Sequence, residues 1–185
     1  MAAPEDSRRK KLSSCSLAPA LKPSGAYVIK EKNLDRSAKA FTQLIGQDNA
    51  VGLCVSRFCP ADVEKSHGIN ASSFVWLSDT LNWNIRGWTE SHHIGEGGVK
   101  VINPKKISEL AVEVHEFLCK NKNAIVLLEG LDCLLAYNDL DAVIRLVYSL
   151  RDGAALSGNR LIVSLDPDLM DGREVAAISR DLWEL

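Results

Sequence analysis

From Gly25 onward the sequence alternates short apolar runs with amphipathic stretches, and that alternation leaves few folds open. The runs are 26–30 (AYVIK), 51–56 (VGLCVS), 73–77 (SFVWL), 124–128 (AIVLL) and 160–165 (RLIVSL). Each is short and rich in β-branched residues, as strands are. Helical patterns separate them. The first spans 34–45, with Ala38, Phe41 and Ile45 on one face and Gly46 as its stop. Pro60 opens a second at its first position and Gly68 ends it. Residues 99–102 (VKVI) are a candidate short strand, after which Asn103 and Pro104 read as the cap and first turn of a helix to about Lys120. Its inward face is Ile107, Leu110, Val114 and Leu118. A further helical stretch runs to about Leu156, with a break near Asn138 and a stripe of Leu140, Val143, Ile144, Val147 and Leu150. The last helix starts at Asp171, which forms a capping box with Glu174, and it buries Val175, Ile178 and Leu182.

Strand, helix, strand repeated in this way predicts right-handed crossovers and a parallel sheet covered by helices on both faces. Runs such as 51–56 and 124–128, apolar at nearly every position, agree with strands buried on both sides. The expected fold is a three-layer α/β/α sandwich with a mostly parallel five-stranded sheet. It forms one domain over 25–185, preceded by a disordered basic tail over 1–24 with no helical or strand period.

Charge narrows the partners. The tail carries five Lys/Arg against Glu5 and Asp6, which leaves 17 basic and 22 acidic residues in the body. A body near −5 is a poor platform for nucleic acid, whose affinity comes largely from cationic contacts with phosphates. A nucleic-acid role is confined to the cluster Arg8, Arg9, Lys10 and Lys11, which reads first as a solvated arm. The five cysteines are odd in number, scattered and without a C-x-x-C pair, so neither a disulfide framework nor a zinc site is signalled. That usage fits a reducing, cytoplasmic setting. The tail has no apolar core for a signal peptide, and the apolar stretch 124–137 is broken by Glu129 and Asp132 and too short to span a bilayer.

In open parallel sheets ligands sit at the carboxyl ends of the strands. The residues there are Lys30-Glu31, Arg57, Ser78-Asp79, Glu129-Gly130 and Asp166-Pro167. A phosphate-binding enzyme of this layout needs a glycine-rich turn after its first strand, whose amides cradle the phosphates. Here residues 30–36 read KEKNLDR, with no glycine, no GK[ST] and two carboxylates. Walker-type catalysis is not expected.

The order of the segments resembles the RecA/KaiC group of ATPases, and the wording of the segments is more specific than that. The chain resembles the archaeal domain-of-unknown-function 835 family. The resemblance lies in the phrase Gly52-Leu53-Cys54-Val55-Ser56-Arg57 with Pro60, the triplet Trp76-Leu77-Ser78, the LL-acid-GL phrase of residues 127–131, and the closing strand with Asp166-Pro167. The resemblance covers roughly 25–185 and implies a P-loop-NTPase-like topology without its Walker A loop. A RecA-like order would make the first and fourth strands, as a RecA core counts them, neighbours at the centre. Glu129 matches the acidic Mg²⁺-holding position of the ATPases, with Glu where the family usually has Asp. Family members are often joined to sensor and histidine-kinase modules, which implies signal transduction.

Function is then expected to be non-catalytic: a regulatory or protein-interaction module with no cofactor and no metal. The ligand crevice or partner edge comprises Arg57, Ser78, Asp79, Glu129 and Asp166. Within it, Arg57 is expected to pair with Asp79, Glu129 or Asp166, and Glu129 to cap the next helix or pair with a cation. The patternless segment 78–98 carries Trp83, Arg86, Trp88, His92 and His93, and Trp and Arg are side chains enriched at binding hot spots. It reads as a partner-binding loop or as a lid folded over the sheet. The alternative is a nucleotide or small-anion sensor that keeps the crevice without hydrolysis. A third reading is an enzyme of unrecognised chemistry using Glu129, Asp166 and Cys59.

Overall fold

The computed structural model describes residues 24–79 and 98–185. The basic cluster Arg8–Lys11 and the loop residues Trp83, Arg86, Trp88, His92 and His93 lie outside them.

The strands are β1 (Gly25–Lys30), β2 (Val51–Ser56), β3 (Ser73–Leu77), β4 (Gly98–Ile102), β5 (Ala124–Leu128), β6 (Arg160–Leu165) and β7 (Trp183–Glu184). They form one sheet in the order β4-β3-β2-β5-β6-β1-β7, and every pairing is parallel. Seven strands therefore replace the five expected. The two additions are the edges: β4, which contains the candidate short strand 99–102, and β7. β4 has exposed Lys100 at its middle, and β7 is two residues long, too short for any periodic signal. β1 lies one place in from the edge, and the centre belongs to β5 rather than to the first strand.

The helices are α1 (Asp35–Asp48), α2 (Pro60–His67), α3 (Ile107–Lys120), α4 (Leu131–Tyr137), α5 (Leu140–Ser157) and α6 (Gly172–Ser179). Crossovers that move across the sheet toward β4 carry α1 and α2, and those that move back toward β7 carry α3 to α6. Each set has its own core. Phe41, Leu44 and Val63 meet Cys54, Ile125, Leu127 and Ile162 on one face. Leu110, Val114, Leu118, Val147 and Leu150 meet Val55, Val126, Leu128 and Val163 on the other. Opposite travel with opposite faces is what a constant crossover hand requires. Alternate residues of β5 thus feed both cores, which is why that strand carries no polar position.

Local signals decide most boundaries. Asp139 caps α5 through Ala142 N at 2.6 Å, which makes the break near Asn138 a true helix boundary. Asp171 makes the expected capping box with Glu174. Three expectations are corrected. Gly46 lies inside α1, and the stop is Asn49 in the left-handed region at φ 49°. Asn103 does not cap α3. Its Oδ1 accepts from Lys105 N at 2.9 Å, closing a turn before the helix begins. Leu182 is buried, but from the turn after α6 rather than from the helix.

At Gly52 a Cβ would stand 2.6 Å from Ile45 and 2.7 Å from Phe41, so the glycine lets α1 lie close on β2. At the opposite, amino end of the strands, Asn159 is fully buried and ties the layers together. Its Oδ1 accepts from Ala124 N at 2.8 Å, while Nδ2 donates to Leu118 O at 2.9 Å and Asn121 O at 3.1 Å. Asn159→Ala strands those groups in the interior. It is expected to lower stability by about 3 kcal/mol in urea unfolding, since each buried orphaned group costs ~1–3 kcal/mol.

Candidate functional site

β1 sends its connection to one face while neighbouring β6 sends its own to the other, and β2 and β5 diverge in the same way. Crevices open at the carboxyl ends of strands where such divergence occurs. A cleft of about 290 Å³ sits there, lined by Glu31, Lys32, Asp35, Arg57, Phe58, His67, Glu129, Asp132, Ser164 and Asp166 among others. Of the residues expected from sequence, the fold brings together Arg57, Glu129 and Asp166. Ser78 and Asp79 do not line the cleft. Ser78 N donates to Ile102 O at 3.1 Å, and Asp79 accepts from the Tyr137 hydroxyl at 3.4 Å.

Glu129 is the most deeply placed charge in the cleft, at 7% exposure. It follows the buried β5 directly, and its backbone N–H extends the ladder to Val55 O at 2.9 Å. Gly130 then turns the chain at φ 92°, where a Cβ would stand 3.2 Å from Arg57 N, so the strand ends can close on each other. The Glu129 carboxylate accepts from Ser56 Oγ at 2.7 Å and from Arg57 N at 3.1 Å. Arg57 Nε lies 3.2 Å from Oε1, a charge contact without the alignment of a hydrogen bond. The Arg57 guanidinium also pairs with Asp132 and stacks over Phe58 at 4.7 Å. Its carbonyl takes the Trp76 indole N–H at 3.2 Å. The expectation that Arg57 serves a neighbouring carboxylate therefore holds for Glu129. Its second partner is Asp132, not Asp79 or Asp166. Glu129 does not cap the following helix; Gly130 stands at that position.

Burial pushes the Glu129 carboxyl above its ordinary value of 4.5, against the opposing pull of Ser56, Arg57 and His67. Burial likewise raises the thiols of Cys54 and Cys133, so neither is poised as a thiolate nucleophile. Cys59 is half-buried at the N-terminus of α2 and makes no side-chain cap. Among the described residues no group of three or more His, Cys, Asp or Glu is placed to hold a metal ion.

The turn after β1 holds the feature that sequence reading missed. Glu31 folds back onto the N-terminus of α1. Its carboxylate accepts from Arg36 N at 2.7 Å, Ser37 N at 3.0 Å, the Ser37 hydroxyl and Ser164 Oγ at 3.2 Å. Helix N-termini attract anions because their amides are unpaired and the dipole is positive there. In this chain the anion is internal. The sequence showed a carboxylate in this turn, but not that it would fold back onto the α1 N-terminus and Ser164. That depends on Ser164 arriving from a strand far away in sequence.

The remaining lining is acidic. Glu31, Asp35, Glu129, Asp132 and Asp166 face only two permanent cations, Lys32 and Arg57. Lys32 turns outward to Asp168, and Asp166 closes a turn by accepting from Asp168 N at 2.9 Å. His67 Nδ1 lies 3.2 Å from Asp35 Oδ1.

Residues 30–182 match the family described as "Protein of unknown function (DUF835)". The chain belongs to this family. The DUF835 match contains every residue that lines the cleft. No curated protein matches the chain. Among solved structures, the crystal structure of the DUF1998 helicase MrfA is similar with a TM-score of 0.43 at 13% identity. The likeness covers 88% of this chain and 27% of the helicase. No helix among the described residues is long and apolar enough to cross a membrane.

The raised Glu129 pKa has a signed consequence. The folded state binds this proton more tightly than the unfolded state, so the carboxyl stabilises most below pH 4.5. That contribution is lost as pH rises through the higher folded value. The stability of the native protein minus that of Glu129→Gln is therefore expected to be largest in acid and to shrink from pH 4.5 upward. Thermal unfolding of both proteins across pH measures it, and a difference that grows with pH contradicts the assignment.

Proposed function

We propose that the chain is a non-catalytic regulatory or protein-interaction module whose carboxyl-edge cleft receives a basic segment of a protein partner. The carrying observation is the surplus of carboxylates in the cleft, together with the commitment of Arg57 to Glu129 and Asp132. A nucleotide would bring its phosphates to a lining of five carboxylates, with the α1 amides already filled by Glu31. A lysine or arginine side chain would meet the opposite field, and complementary charge speeds encounter and selects partners. Phe58, 43% exposed at the rim, adds an apolar contact of the kind interfaces use. A setting in signal transduction belongs to this reading through the resemblance to proteins with sensor and kinase modules. The loop bearing Trp83, Arg86, Trp88, His92 and His93 belongs to it as a second partner contact.

The sensor alternative needs the cleft to bind an anion. Thermal-shift titration of the full chain with ATP, GTP and Mg²⁺ separates the two readings. No rise in melting temperature and no phosphate release are expected. A saturable rise would favour the sensor, and divalent-dependent phosphate release would overturn the non-catalytic reading. Asp35→Lys with Asp166→Lys reverses charge at two accessible positions of the cleft. The pair is expected to weaken recovery of the native partner while leaving the melting temperature within a few degrees. An unchanged, salt-insensitive recovery would show that the partner binds elsewhere.

A further inference from the structure

The sequence holds one strongly charged motif that the reading of the cleft leaves unused: the run Arg8-Arg9-Lys10-Lys11, which lies outside the described residues. Its sign is opposite to that of the cleft lining. We infer that this run is the cleft's own occupant, docking within the same chain and competing there with the basic segment of a partner. The inference rests on the reading just given, in which the cleft takes a basic segment, and it adds the regulation of that site.

Charge and reach carry it together. The cleft sets five carboxylates, Glu31, Asp35, Glu129, Asp132 and Asp166, against Lys32 and Arg57, while residues 8–11 are four cations in a row. Glu31 is taken up by the α1 amides, and Glu129 and Asp132 by Arg57. Among the described residues no lysine or arginine pairs with Asp35 or Asp166, whose partners are His67 and the Asp168 amide. Phe58, exposed on the same lining, offers an apolar surface to the methylene stems of Arg and Lys. Reach follows from β1, the strand that residues 1–24 precede. Its far end leads directly into Glu31 and Lys32 of the cleft. Its six residues span about 20 Å. Residues 12–23, which join Lys11 to the described chain, reach about 40 Å when extended. That length allows the run to double back along β1 and round the helix layer to the carboxyl edge. A segment held by a short linker acts at about millimolar effective concentration, so even a weak complementary contact forms before a dilute partner arrives.

A fluorescent peptide of residues 7–14 (SRRKKLSS) tests the inference on the full chain. The native protein is compared with a tail variant carrying Arg8→Gln, Arg9→Gln, Lys10→Gln and Lys11→Gln. The tail variant is expected to bind the peptide about tenfold more tightly, the factor for a native tail at ~1 mM competing with a peptide of Kd ~0.1 mM. Adding Asp35→Lys and Asp166→Lys to the tail variant should remove that binding. In NMR spectra the Asp35, His67 and Asp166 amide signals should differ between the native protein and the tail variant. Added peptide should return those of the variant toward their native positions. This comparison needs no substitution in the cleft, so it stands if the charge-reversed protein does not fold. Signal differences that fade on dilution would put the tail in the cleft of a second copy and overturn docking within the chain. Equal affinity of the native protein and the tail variant, with binding that still requires Asp35 and Asp166, overturns the self-docking and leaves the cleft reading intact. Peptide binding that is absent, or indifferent to the two reversals, also overturns it, and recovery of the native partner then decides the cleft reading on its own.

Discussion

A carboxylate buried at the end of a central strand must be compensated, and the compensation of Glu129 organises the whole carboxyl edge. Burying an unpaired charge costs several kcal/mol, roughly, even after the protein relaxes. Ser56, the Arg57 amide and the Arg57 guanidinium supply what water would have supplied. Those groups sit at the end of β2, so meeting the charge clamps β2 to β5. Arg57 passes the constraint outward: its guanidinium reaches Asp132 on α4, and its carbonyl holds the Trp76 indole of β3. Gly130 permits the close approach on which all of this depends. A single buried acid thus sets the positions of three strand ends and one helix.

The same commitments limit the chemistry available to the cleft. Arg57 would be the natural grip for an anionic ligand, yet both ends of its charge are engaged by protein carboxylates. The α1 N-terminus would be the natural seat for a phosphate, yet Glu31 is already there. Both groups are answered from inside the chain. What remains facing solvent is a surplus of carboxylates beside an exposed phenylalanine.

Much of the fold was legible because its signals are local. The runs 51–56, 73–77, 124–128 and 160–165 are strands with those same limits, since β-branched apolar runs bounded by turns carry their own evidence. The Asp171 capping box and the break near Asn138 could also be read from a few adjacent residues. Of the two edges, β4 was legible as the candidate strand over 99–102, and β7 was not. β7 is two residues whose pairing with Tyr27 and Val28 exists only once β1 is in place. Gly46 misled because glycine more often ends a helix than continues one, whereas here Asn49 supplies the left-handed stop.

The site divides along the same line. Arg57, Glu129 and Asp166 could be nominated from sequence because strand ends in a parallel sheet share one edge, whatever the strand order. Which carboxylate Arg57 would choose, and that Ser78 and Asp79 would stand apart, depended on strand order and on side-chain reach. Sequence by itself determined the alternating architecture, the absence of a glycine-rich phosphate loop and the acidic balance of the body, because these are properties of neighbouring residues or of sums. Only tertiary structure decided that Glu31 would meet Ser37 and Ser164, because Ser164 lies 133 residues away and reaches Glu31 only through the pairing of β1 with β6.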